Sequence, residues 1–139
     1  MLILFFTLFI FLVMLFIAAI HIYWLKGGLW PGKNYQELVD KVLGTGDRLP
    51  STWMFVVVIV VFLLMAAFPV LVYFNINFTG YEKEILLLFS IVFFIRSFYM
   101  LLPPIANKVT KEFFALNKRV YAPICLALGM AYLYLYLVG

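Results

Sequence analysis

One cysteine, one histidine and six acidic residues are all the chain offers of those types, and each scarcity closes off a class of function. With Cys125 alone no intrachain disulfide can form, and the thiol says nothing of redox compartment. His21 and Cys125 cannot between them build a usual zinc or haem site, so neither metal nor cofactor is expected. No carboxylate falls inside a long apolar run, which argues against a proton- or cation-coupled carrier. No Ser-His-Asp set is present either. Charge is thin overall: 12% of 139 residues, against about a quarter in soluble domains. What fills the space is apolar. Hydrophobic residues make up 68% of the chain, and the mean hydropathy of +1.15 is that of a protein solvated by lipid. Most of the ten Lys and Arg are split among loops, so membrane topology explains the basic pI of 9.2, and no nucleic acid partner is expected.

Four apolar runs, over residues 2–25, 53–78, 85–102 and 119–138, are each about as long as a bilayer core requires. They predict an all-α, four-helix antiparallel membrane bundle forming one domain over residues 1–139. The first run lacks a basic leader and is too long for a signal peptide, so it reads as a retained helix. Between the first two runs, Asn34 and Glu37 fit a reciprocal capping pair in which each side chain accepts from the other's amide. Apolar residues recur after it at helical spacing until Gly44, which predicts a short amphipathic helix on the membrane or over the bundle. Ser51 or Thr52 caps the second span, and Pro69 inside it frees a carbonyl that a neighbour must satisfy. The tight polar turn Thr79–Glu84 predicts that spans two and three pack as neighbours. The connection from Ile105 to Lys118 reads as polar. In the fourth span Ala122, Cys125 and Gly129 form a small-residue stripe suited to close helix contact. Tyr132, Tyr134 and Tyr136 read as an aromatic belt at the far interface.

Loops one and three share a face and carry eight Lys and Arg between them, whereas the opposite face has only Lys83 beside two glutamates. The positive-inside bias predicts that loops one and three are cytoplasmic and both termini outside.

The densest chemistry lies at His21-Ile-Tyr-Trp-Leu-Lys-Gly-Gly-Leu-Trp-Pro31, where the first apolar run ends. At 1.5 Å per residue, His21 lies about one turn inside its helix end, and Arg96 and Cys125 lie roughly 10 Å inside theirs, all toward one face. The candidate ligand-binding set is therefore His21, Tyr23, Trp24, Gly27, Gly28, Trp30, Arg96, Tyr99, Tyr121 and Cys125. Arginine in a span is costly and lacks a carboxylate here, so an anion, or the ring of Trp24 or Tyr99, is its expected partner.

His21-x-Tyr23-Trp24-x-x-Gly27-Gly28-x-Trp30, Pro50-x-Thr52-Trp53, Arg96 and Tyr121-x-Pro123-x-Cys125-Leu126 together resemble a family of small bacterial four-helix membrane proteins known only as a domain of unknown function. The resemblance covers nearly the whole chain and implies the fold, the bacterial inner membrane and the motif residues, but no activity. It departs where such proteins often have an aspartate: here Asn117 and Lys118 precede Arg119-Val-Tyr121. The leading functional reading is a polar pocket binding a lipid headgroup or small anionic amphiphile. The alternatives are a small enzyme acting on a lipid or isoprenoid, with His21 as acid or base, and a structural subunit of a homo-oligomer or larger complex. A transporter subunit ranks last. Membrane lipids are the expected partners.

Overall fold

A run of apolar residues in lipid can satisfy its amides and carbonyls only within itself, and so it coils. The computed structural model describes residues 1–139 and has no strand. Its helices are α1 (Leu2–Leu25), α2 (Tyr35–Val42), α3 (Thr52–Tyr73), α4 (Glu82–Phe98), α5 (Pro103–Ala106), α6 (Lys111–Leu116) and α7 (Ala122–Val138). A 3₁₀ turn, Tyr99–Leu101, extends α4, and a π-helical segment, Asn117–Tyr121, fuses α6 to α7. Four stretches are long and apolar enough to cross a bilayer: Leu2–Leu25, Thr52–Tyr73, Glu82–Leu101 and Lys111–Val138. The outward face of α3, including Val57, Val60, Val61 and Leu64, is exposed and apolar, as a lipid-facing wall must be. The chain is a multi-pass integral membrane protein.

Two boundaries differ from the expectation. The second span ends at Tyr73 rather than Phe78, because Asn75 turns the backbone left-handed (φ 57°). The fourth starts at Lys111, inside the stretch read as a polar connection, because Thr110 caps α6 by accepting from the Phe113 amide. From there the helical path is unbroken to Val138.

The pairing of helices also differs. α1 packs chiefly on α3 and α4 on α7, with α1 against α7 joining the two pairs. α3 and α4 run past each other with few backbone approaches, meeting instead through rings such as Phe68 and Phe89, 5.6 Å apart. The cause is Tyr132, read from sequence as an interfacial residue. It has no exposed surface, stacks on Phe93 at 5.7 Å and meets Phe89 edge-on at 5.5 Å, filling the space between α3 and α4. Its hydroxyl donates to the Met65 carbonyl at 2.7 Å. Met65 stands four residues before Pro69 and is therefore the residue whose carbonyl the proline leaves without an amide partner. The expected neighbour exists, and it comes from the fourth crossing.

In lipid, small residues and inter-helix hydrogen bonds hold helices together, because apolar surface gains little by leaving acyl chains. The α4–α7 seam follows that rule. Ser90 Oγ donates to the Gly129 carbonyl at 2.8 Å, and Ser97 Oγ to the Ala122 carbonyl at 2.9 Å. A Cβ at Gly129 would press on the Phe94 ring.

α2 forms over the predicted residues. Asn34 Oδ1 accepts from the Glu37 amide at 2.9 Å, but Glu37 reaches back to the Lys33 amide (3.0 Å) rather than to that of Asn34. Glu37 also pairs with Lys41 at 2.8 Å. Lys41 first, then the Lys33 amide, holds the Glu37 carboxyl below its ordinary range. The Ser51 position caps α3 without a side-chain bond. Leu38 and Val39 are buried, so α2 is docked on the bundle.

Candidate functional site

Three local structures share the face formed by loops one and three. The first is the turn that closes α1. Tyr23 Oη accepts from the Trp30 amide at 3.1 Å, and Trp24 Nε1 donates to the Trp30 carbonyl at 2.7 Å. Gly27 has φ +93°, where a side chain is strained, and a Cβ on Gly28 would overlap the Tyr23 ring. The Trp30–Pro31 peptide is cis, and the Pro31 carbonyl accepts from Lys41 Nζ at 3.0 Å, which ties the turn to α2. The Tyr23 oxygen, the Trp24 N–H and the two glycines thus serve the turn itself, while the Trp30 side chain is exposed. Their clustering in sequence has a structural cause.

The second structure surrounds Arg96. Its Nη1 donates to Asn117 Oδ1 at 2.7 Å. Its guanidinium lies over the Tyr99 ring at 4.9 Å, with the rings of Phe113 and Tyr121 each at 6.0 Å. Tyr99 is the aromatic partner expected from its i+3 position; Trp24 is engaged elsewhere. Asn117 is 3% exposed and lies within the π-helical segment, a distortion that often marks functional positions. The only ion pair in the molecule is Lys41–Glu37, so no carboxylate neutralises Arg96. Cys125 is half-buried against the core and makes no hydrogen bond.

The third is a cavity of about 210 Å³ between α1, α3 and loop one, lined by His21 and Trp24 together with apolar side chains. None of Arg96, Tyr99, Tyr121 and Cys125 lines it. α2 stands between the cavity and the Arg96 cluster. The end of α2 and Leu43 face the cavity, while the backbone behind them is held from the cap of α6 and from the π-helical segment. Tyr121 Oη donates to the Lys41 carbonyl at 3.0 Å, the Thr110 hydroxyl donates to that of Asp40, and the Thr110 amide to that of Gly44 at 2.9 Å.

A family model described as "Protein of unknown function (DUF3995)" matches residues 14–132, a span that takes in all three structures. The chain belongs to that family. No curated protein and no solved structure matches it. The family range includes every candidate residue singled out from the sequence, and the fold divides them. His21 and Trp24 share one cavity, and Arg96, Tyr99 and Tyr121 share another environment, with the turn residues packed among themselves. A reaction with His21 as acid or base and Arg96 stabilising negative charge has no common cavity to work in.

Sequence reasoning missed two features. In the sequence Asn117 stands out only as a departure from a family pattern, although a lone intramembrane arginine asks for an acceptor on a neighbouring helix. The opposite end of the bundle holds a larger cavity, about 670 Å³, whose polar lining includes Thr7, Asn75, Asn77 and Glu84. Its most conspicuous acid, Glu82, is already occupied: Oε1 accepts from the amides of Phe78, Thr79 and Gly80 and from the Thr79 hydroxyl. The polar run after the second span was the available signal for this cavity.

Proposed function

We propose that this integral membrane protein binds an anionic group, the headgroup of a lipid or of a small amphiphile, at Arg96. The observation that supports the reading is an uncompensated cation at membrane depth. Arg96 lies five residues before Leu101, roughly 8 Å along the helix, and only a neutral amide and three aromatic faces receive it. A guanidinium has five N–H donors in a planar fork, and Asn117 is the only acceptor it finds in the protein. A phosphate or carboxylate at that depth offers the bidentate geometry arginine suits best. The same reading puts the protein in a bacterial inner membrane with this face toward the cytoplasm, where anionic lipids attract basic segments.

Asn117→Asp tests it, because the substitution keeps an acceptor beside Arg96 and adds the missing negative charge. The folded protein should persist, while anionic lipid retained through gentle purification, counted by mass spectrometry, should fall several-fold. Arg96→Gln should lower it similarly. Unchanged retention of anionic over zwitterionic lipid in both variants would exclude the proposal.

A further inference from the structure

The cavity beside His21 has a chemistry opposite to that of the Arg96 cluster. No charged side chain lines it. The indole N–H of Trp24 is already given to the Trp30 carbonyl, so it is unavailable to a ligand. The one remaining polar side chain is the imidazole. His21 Nδ1 lies 2.7 Å from the Ile17 carbonyl, which can only accept, so Nδ1 carries the proton. In the neutral ring Nε2 is then a bare lone pair. It has no hydrogen-bond partner in the protein, and no buried side-chain nitrogen or oxygen is left unpaired, so Nε2 is accessible. Rings of Trp24 and Phe62, both at 5.0 Å, fix the imidazole edge-on.

The walls say how a ligand arrives. Loop one closes the aqueous side with Leu43, Leu49 and Pro50. Met54 and Val58 form part of the rim and are exposed on α3, so the way in is from the acyl phase. A cavity of about 150 Å³ is large enough for benzene, so this one holds a somewhat larger body, such as two fused rings or a branched chain segment. An anion finds no donor here. An apolar molecule with no polar group leaves Nε2 unsatisfied.

We infer that this cavity is a second binding site, for a neutral apolar molecule carrying one hydroxyl, an alcohol or a phenol, which donates its O–H to His21 Nε2. The inference does not rest on the Arg96 reading. Because His21 is the only histidine, the full-length protein labelled with ¹⁵N-histidine reports on these two ring nitrogens alone. In nanodiscs at neutral pH, 1-naphthol should move the Nε2 resonance upfield and leave Nδ1 nearly in place. Its methyl ether, which keeps the shape and loses the donor, should bind about fivefold more weakly or worse, the worth of one hydrogen bond. Leu49→Trp should fill the cavity and abolish the response. Val58→Trp at the exposed rim should do the same without touching the interior packing. Arg96→Gln should leave naphthol binding unaltered, which separates this site from the anion site. Equal binding of naphthol and ether, a response that survives both tryptophan variants, or a silent Nε2 would each overturn the assignment.

Discussion

At the scale of single residues, Gly28 carries more structural information than any charged group in the first loop. Its missing Cβ is where the Tyr23 ring lies, and that ring places the hydroxyl that receives the Trp30 amide. Gly28→Ala forces the ring aside. We expect a loss of about 1–3 kcal/mol, as for other overpacked sites. Tyr23→Phe, which deletes only the hydroxyl, should lose less, about 1 kcal/mol for one hydrogen bond. Equilibrium unfolding in mixed micelles would rank the two. The glycine pair and the aromatic residues were visible in the sequence, and so was the helix end they imply. That they serve one another was not, because a string of letters does not tell whether an indole N–H points at a ligand or at the carbonyl six residues on. Asn117 failed for a related reason. The π-helical segment that holds it leaves no trace in hydropathy, and a polar residue before the apolar run looks like loop.

Whole elements were easier to find than their faces. That there are four crossings and that Pro69 needs a neighbour follow from backbone hydrogen bonding in a medium without water, and the short helix in loop one follows from its cap and the spacing of its apolar residues. Which helix meets which does not follow. α1, α3 and α7 are apolar all round, so periodicity cannot mark a buried side in lipid as it does in water. The tight turn between α3 and α4 suggested neighbours, and the ring of Tyr132 keeps them apart. Its bond to Met65 can be measured through a cycle. Tyr132→Phe should destabilise the protein by about 0.6–1.7 kcal/mol, the range found for inter-helix hydrogen bonds in bilayers. Pro69→Ala restores the amide that satisfies Met65 internally, so Tyr132→Phe in that background should cost distinctly less. Equal costs in the two backgrounds would mean that the hydroxyl serves something other than the carbonyl freed by proline.

For the whole molecule, charge asymmetry makes the prediction. Lys26, Lys33, Lys41, Arg48, Lys108, Lys111, Lys118 and Arg119 lie toward one end of the bundle, and only Lys83 lies in the turn at the other. Cysteines introduced one at a time at Thr45 and at Thr79, with Cys125 replaced by Ala, should label oppositely with an impermeant maleimide on intact cells. The Thr79 variant reacts and the Thr45 variant stays silent until the membrane is opened; the reverse pattern would invert the orientation.

The two helix pairs are also two successive halves of the chain, α1 with α3 and α4 with α7, and this bears on how the molecule is made. Whenever the first half packs before the second, α1 meets α3 without the fourth crossing. It does so with a backbone oxygen bare at Met65, a debt cleared only when the last helix delivers Tyr132. The nascent protein therefore stays incomplete until its final crossing arrives, and a chain truncated before that point is marked at its centre as unfinished.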